Sequence, residues 1–222
     1  MTFTYIGIDE STLRSGTNSL TVVAAVTEDK TLTKSKGYAA LPKARDHLTE
    51  FYAHMSAGSS LETAPRLPRP DEMKGLQTYH WMRANEGRFS RQLIEHAAIA
   101  HLVTVNGYDS QKTVLFIDMF YLKEYVSKQL IKEYLHALNF KIPLQNIELH
   151  AGGDKSIPLI NYADLLAFQI GMHVNKKYQQ RWKIPLTFPF TEQEVPYDER
   201  RVKIPLGEQG RTLLERIVKD VR

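Results

Sequence analysis

The chain of 222 residues contains no cysteine. This absence excludes disulfide bonds, zinc sites built from thiolates and cysteine nucleophiles. Any metal ion must therefore be bound through oxygen or imidazole nitrogen.

Long hydrophobic runs are also missing. No apolar stretch approaches the ~18 residues that a membrane span needs. The first residues also do not follow the pattern of a secretory signal peptide, which is a basic stretch, then a longer apolar stretch, then a cleavage site of small residues. We therefore expect a cytoplasmic protein that does not enter a membrane.

Several common catalytic motifs are absent: the Gly-x-x-x-x-Gly-Lys phosphate loop, the Gly-x-Ser-x-Gly nucleophile elbow and the His-Glu-x-x-His zinc site. There is no long basic run either, although a formal charge of +4 and a pI of about 9.1 modestly favour nucleic acid as a partner. A mildly basic enzyme that binds no nucleic acid fits this charge equally well.

The composition is that of an ordinary globular protein, with 42% hydrophobic and 24% charged residues. We expect one α/β domain over residues 1–180 and a proline-punctuated extension over residues 181–222 that ends in a helix. This extension either completes the core or forms a dimer contact.

Hydrophobic periodicity and turn residues predict a mixed sheet with antiparallel N-terminal strands, flanked by helices. The predicted strands are residues 3–8 and 20–26, which form a hairpin, a third strand within 32–40, a central strand at 113–118 and a strand at 146–150. The predicted helices begin near residues 42, 88, 121, 158 and 210, and residues 56–70 form a loop.

Four apolar or glycine-rich segments end on an aspartate: Asp9, Asp118, Asp154 and Asp164. Carboxylates at the ends of neighbouring strands are the oxygen ligands that Mg²⁺ and Mn²⁺ prefer. Each of the first three residues also has a structural explanation, since Asp9 with Glu10 suits a hairpin turn, Asp118 suits a helix N-cap and Asp154 suits a turn.

Asp164 differs because it lies inside a predicted helix, where aspartate has poor propensity and no capping role. Asn161 shares its helix face and is a candidate to support a ligand there. Glu10 follows Asp9 directly, so that both reach one site only if the strand ends or twists between them. Glu72 and Lys74 are candidates for a carboxylate ligand and a phosphate contact, or for a solvated ion pair.

The motifs together resemble those of a widespread uncharacterised family with a ribonuclease H-like fold, whose members carry IDESG, E-[IL]-K and DS…QLADLLAG in these places. The matching segments are Ile8-Asp9-Glu10-Ser11, Glu72-Met73-Lys74, Ile117-Asp118 and Asp154 through Ala167. This chain departs at Thr12, where glycine is usual, and at Asn161, where glutamine is usual. The Asp-Glu pair is more distantly similar to that of type 2 ribonucleases H, although their following glycine-rich loop is missing here.

The resemblance implies that Asp9, Asp118 and Asp164 are metal ligands, that Glu10 is a fourth acid, and that Glu72 and Lys74 have supporting roles. The expected protein is then a nuclease that uses two Mg²⁺ or Mn²⁺ ions roughly 4 Å apart to hydrolyse a phosphodiester. The alternatives are a catalytically silent module that binds nucleic acid or protein, and a small-molecule phosphohydrolase.

Overall fold

The computed structural model describes residues 2–15, 17–37, 41, 73–83, 91–118, 122–174 and 208–220. The predicted helix from residue 42, the predicted loop 56–70 and most of the proline-punctuated extension lie outside these residues. No helix in the described ranges is long and apolar enough to cross a membrane.

Within these ranges, five strands form one mixed sheet in the order β3-β2-β1-β4-β5. The strands are β1 (Thr4–Ser15), β2 (Thr17–Thr27), β3 (Met73–Arg83), β4 (Thr113–Ile117) and β5 (Ile147–Leu149). β1 to β3 form an antiparallel meander, whereas β4 and β5 run parallel to β1. The predicted fold class, a mixed sheet with antiparallel N-terminal strands, is confirmed.

In the described residues, four helices flank the sheet: α1 (Arg91–Thr104), α2 (Glu124–Ala137), α3 (Pro158–Val174) and α4 (Glu208–Lys219). α1 and α2 cover one face, which we call the two-helix face, and α4 packs beside α2, where Ile217 joins the core. α3 covers the opposite face, which we call the α3 face.

Alternation along β1 divides its side chains between these faces. Ile6 and Ile8 join the core of the two-helix face, whereas Tyr5 joins the core of the α3 face. Because successive side chains of a strand point to opposite sides, Gly7 and Asp9 belong with Tyr5 on the α3 face.

Gly7 allows α3 to approach the sheet closely. A Cβ at this position would stand 2.5 Å from Leu159 Cγ and 2.6 Å from the Leu159 carbonyl oxygen, closer than real Cβ atoms come. Only glycine therefore permits the observed separation between β1 and the first turn of α3.

The predicted strand within residues 32–40 is wrong for its described part. Lys30–Thr33 form a 3-10 turn instead, in which the Asp29 carboxylate accepts hydrogen bonds from the Thr31 N–H at 2.8 Å and the Thr31 hydroxyl at 2.6 Å. This aspartate cap and the scarcity of apolar residues favour a turn over a strand. The next strand that the structure describes after β2 is β3, a segment that the sequence did not predict as a strand.

Candidate metal and phosphodiester site

Asp9 and Asp118 lie side by side on neighbouring parallel strands. Ile8 pairs with Ile117 in the register between β1 and β4, and the Asp118 N–H donates to the Ile8 carbonyl at 3.0 Å. The pairing therefore continues to Asp9 and Asp118, which belong to strands about 4.8 Å apart. Their exposed fractions are only 7% and 4%.

The loop after β5 fixes the Asp118 carboxylate. Its two oxygens accept hydrogen bonds from the Gly152 N–H at 3.0 Å and the Asp154 N–H at 3.1 Å. Gly152 has a φ of 71°, a left-handed conformation that favours glycine. α2 begins after Lys123, so Asp118 is not its N-cap, and that structural alternative is wrong.

Burial raises the pKa of Asp118 to about 7; the two backbone N–H donors lower it, and the nearby Asp154 carboxylate raises it. The desolvation of the charged form is thus the largest influence on this group. Asp118 is held in place by donors, yet it remains costly to ionise.

α3 brings Asp164 to the same place. Burial raises the pKa of Asp9 well above its usual value, and the charges of Asp164, Glu10 and Asp118 raise it further. The Glu10 N–H, which donates to Asp9 Oδ1 at 2.7 Å, lowers it. These effects require Asp164, Glu10 and Asp118 each to lie near Asp9, because Coulomb interactions fall with distance.

Glu10 contributes from a different direction. It is paired with Val22, whose side chain belongs to the core of the two-helix face. The pleat of β1 therefore assigns Glu10 to the opposite side of the sheet from Asp9, although its charge still acts on Asp9.

The other predicted residues have distinct positions. Asp154 lies in the 3-10 turn Gly153–Lys155, and Asn161 Nδ2 donates to its carbonyl oxygen at 2.7 Å. Asn161 therefore fixes the turn that holds Asp118. Glu72 lies outside the described residues, and Lys74 forms an exposed salt bridge with Glu28.

His150 occupies a position that sequence reasoning missed. Its N–H donates to the Ile117 carbonyl at 2.9 Å, which extends the pairing of β5 with β4 and places His150 beside Asp118 in register. Its ring stacks on Phe116 with centroids 5.7 Å apart, and its Nε2 lies 3.3 Å from Glu148 Oε2. The only sequence signal was its place at the end of a predicted strand. The pairing of β5 with β4 is what puts that strand end next to Asp118.

The described residues provide carboxylate oxygens, the donor type that suits Mg²⁺ or Mn²⁺. Within these ranges, no group of three or more histidine, aspartate or glutamate side chains is gathered closely enough to hold a metal ion as it stands. Asp164, Glu10 and Asp118 are thus within electrostatic reach of Asp9, but the described carboxylates do not meet at a single point. The negative charges that act on the buried Asp9 carboxyl fit a cation, which would stabilise the ionised forms of these acids.

No protein-family model and no curated protein matches the chain. Among solved structures, it is similar to ribonuclease H2 from Pyrococcus horikoshii OT3, with a TM-score of 0.50 and 15% identity over 97% of this chain and 99% of that chain. The fold is ribonuclease H-like. A further similar chain comes from the PCNA:RNase HII complex of Archaeoglobus fulgidus, with a TM-score of 0.46 and 12% identity over 98% of this chain and 90% of that one.

The ribonuclease H-like fold agrees with the one expected from the motifs. At 15% identity the similarity concerns the fold, and membership of the uncharacterised family remains a prediction. The roles of the acidic residues must be argued from their own geometry.

Proposed function

We propose that the chain is a metal-dependent phosphodiester hydrolase that acts on nucleic acid. The observation that supports this most directly is the grouping of Asp9, Asp118 and Asp164 from two strands and one helix, with the pKa of Asp9 raised by burial and by the other charges. Buried acids that repel one another are costly for folding, and such groups are concentrated at functional sites.

In this proposal Asp9, Asp118 and Asp164 are the metal ligands, and Glu10, which the pleat of β1 assigns to the other side of the sheet, adds negative charge near them. Mg²⁺ or Mn²⁺ held there would neutralise phosphate charge and lower the pKa of an attacking water. Asp118 is already oriented by the Gly152 and Asp154 N–H groups, which leave lone pairs on both carboxylate oxygens.

The protonation state of the acids limits binding. A carboxylate must lose its proton to bind a cation, and burial holds the pKa of Asp118 at about 7 without metal. We therefore expect metal affinity to rise with pH up to and beyond neutrality.

A cleavage panel tests the proposal. Labelled single-stranded and double-stranded DNA, RNA and an RNA/DNA hybrid are incubated with Mg²⁺ or Mn²⁺, together with a free nucleotide that detects a small-molecule phosphohydrolase. The wild type should cleave at least one polymer, and Asp9→Asn or Asp118→Asn should lower the rate at least about 100-fold, because a metal contributes several kcal/mol to the transition state.

Asp109→Asn is the matched control. Asp109 is exposed, precedes β4 at the opposite end of the strand and pairs with Lys112, so this variant should retain its rate. Absence of cleavage by the wild type with either metal, or equal losses in all three variants, would contradict the proposal.

A specific observation favours a second candidate, a module that binds nucleic acid or protein without catalysis. The Asp118 carboxylate caps the loop after β5 through two backbone N–H groups, which is a structural role. If that role is the whole explanation, Asp118→Ala should cost about 1 kcal/mol of stability, and Mn²⁺ should not change the melting temperature.

Thermal shift separates the two candidates. With a metal site, Mn²⁺ at 100 times its Kd should stabilise the wild type by about 2.7 kcal/mol, and Asp118→Asn should lose that shift. A wild type that shows no Mn²⁺ shift would favour the non-catalytic module.

A further inference from the structure

We propose that the exposed lysines Lys30, Lys34 and Lys36 form the surface along which the backbone of a nucleic acid approaches the acidic site. This inference rests on the proposed function, since it names where that function's substrate is held. We call these three residues the lysine strip.

The lysine strip is tied to the loop that holds Asp118. The Lys36 N–H donates to the Ser156 carbonyl at 2.8 Å, and the Leu41 N–H donates to the Lys155 carbonyl at 3.1 Å. Ser156 is two residues from Asp154, a separation of at most about 7 Å. The strip therefore begins close to the acids. The distance between them corresponds to the length of a few nucleotides, at about 3.4 Å of rise for each.

The backbone of the strip is fixed by local contacts. Asp29 caps the 3-10 turn, and Leu32 packs against the core of the α3 face. The hydrogen bonds from Thr31 lower the pKa of Asp29, and the charge of Lys34 lowers it further. The lysines are thus presented from an ordered turn on the face of the sheet that carries Asp9 and Asp118.

The side chains of the strip face solvent. All three lysines are exposed, and none forms a salt bridge within the part of the chain that the structure describes. Lys74, which the sequence suggested as a phosphate contact, is different because Glu28 neutralises it. We therefore expect the lysine strip, and not Lys74, to contact the phosphates.

The acidic site needs such a neighbour. Five acids lie at or beside it: Asp9, Glu10, Asp118, Asp154 and Asp164. A polyanion would be repelled from this cluster, and adjacent cationic side chains reduce that repulsion and steer the encounter. Lysine suits this role because it binds phosphate as a point charge without reading bases.

A binding experiment with matched triple variants tests the inference. Fluorescence anisotropy measures the affinity for labelled DNA, RNA and hybrid oligonucleotides in EDTA, where cleavage cannot interfere, at several KCl concentrations. Lys30→Gln/Lys34→Gln/Lys36→Gln should weaken binding, and the slope of log K against log salt should become shallower by about 2 to 3, as expected for three lost phosphate contacts.

Lys132→Gln/Lys141→Gln/Lys219→Gln is the control with the same change in charge. Lys132 and Lys219 lie on α2 and α4, and Lys141 stands between Phe140 and Ile142, which join the core of the two-helix face. Their removal should alter binding much less. Equal losses in the two triple variants, no loss in the strip variant, or no binding of any oligonucleotide by the wild type would each overturn the inference.

Cleavage by the same proteins in Mn²⁺ keeps the two proposals separate. Selective loss of binding in the strip variant without any cleavage by the wild type would leave the surface standing and reject hydrolysis. Cleavage that is equally fast in both triple variants at subsaturating substrate would support hydrolysis and reject the strip.

Discussion

The two faces of the sheet are built from alternate residues of the same strands, yet they differ in chemistry. On the two-helix face, β1 and β4 present Ile6, Ile8, Leu115 and Ile117, all at most 1% exposed. On the α3 face, β1 carries Asp9 and β4 is followed directly by Asp118, two buried acids that are costly to ionise. Along β1, alternate positions therefore have different roles: one set fills the hydrophobic core, and the other set carries the acid of the candidate site.

The close contact between Gly7 and α3 offers the strongest test of the difference between the two faces. Gly7→Val should destabilise the fold by about 3 kcal/mol or more, because the new side chain collides with the Leu159 backbone and displaces α3 from Asp9. Urea denaturation measures the loss, and metal-dependent activity should fall with it.

Gly75→Ala is the control for Gly7→Val. Gly75 also lies in a strand, but a Cβ there would meet nothing within 4 Å. A large loss of stability in this variant, or none in Gly7→Val, would contradict the assigned role of Gly7.

Leu130→Ala separates stability from chemistry. Leu130 is fully buried in α2 on the two-helix face, and its truncation should cost about 2 to 5 kcal/mol. Below its melting temperature the variant should keep the wild-type rate, since no acid of the site is moved. Chemical denaturation and a cleavage assay at low temperature check both parts, and a proportional fall in rate at full folding would show that the faces are coupled.

The pH dependence of stability sharpens the comparison on the α3 face. In the folded protein, burial holds the pKa of Asp118 at about 7, above its ordinary value of 3.8. Between these values the folded state binds more protons than the unfolded state, so the free energy of unfolding without metal should fall as pH rises from about 4 to about 7.

Urea titrations in EDTA across this range check the sign. Asp118→Asn, which cannot ionise, should reduce the fall relative to the wild type. A difference between the two proteins that does not change with pH would show that Asp118 has no raised pKa.

The smallest effect is expected at Lys74. Its salt bridge with Glu28 is exposed on both sides, and such pairs contribute less than about 1 kcal/mol. Lys74→Gln should therefore change the melting temperature by little and should weaken oligonucleotide binding less than any single substitution in the lysine strip. Anisotropy measurements at low salt provide the check.

The sequence predicted the elements that have a strong periodic pattern. The hairpin of β1 and β2, the buried β4 and the helices α1 to α3 all follow from local hydrophobic spacing. β3 was missed because Met73–Arg83 contains a glycine and several polar residues, and it becomes a strand by pairing with β2.

The acids of the candidate site could be named from the sequence, but their arrangement could not. That Asp9 and Asp118 are neighbours depends on the parallel register of β1 and β4, which joins residues more than one hundred positions apart. The same long-range register gives His150 its place beside Asp118, which no local pattern indicated. The sequence also could not show that Lys74 forms a salt bridge with Glu28.

The pleat of β1 has a consequence for how this protein can diverge among its relatives. Ile8 and Asp9 are adjacent in the chain, but substitutions at the first are constrained by volume and at the second by charge. An insertion of a single residue before them would turn every following side chain of the strand to the opposite face of the sheet, so that core residues would take the places of the acid and the acid would enter the core. Changes in length should therefore be tolerated in the connecting loops and selected against within Thr4–Ser15.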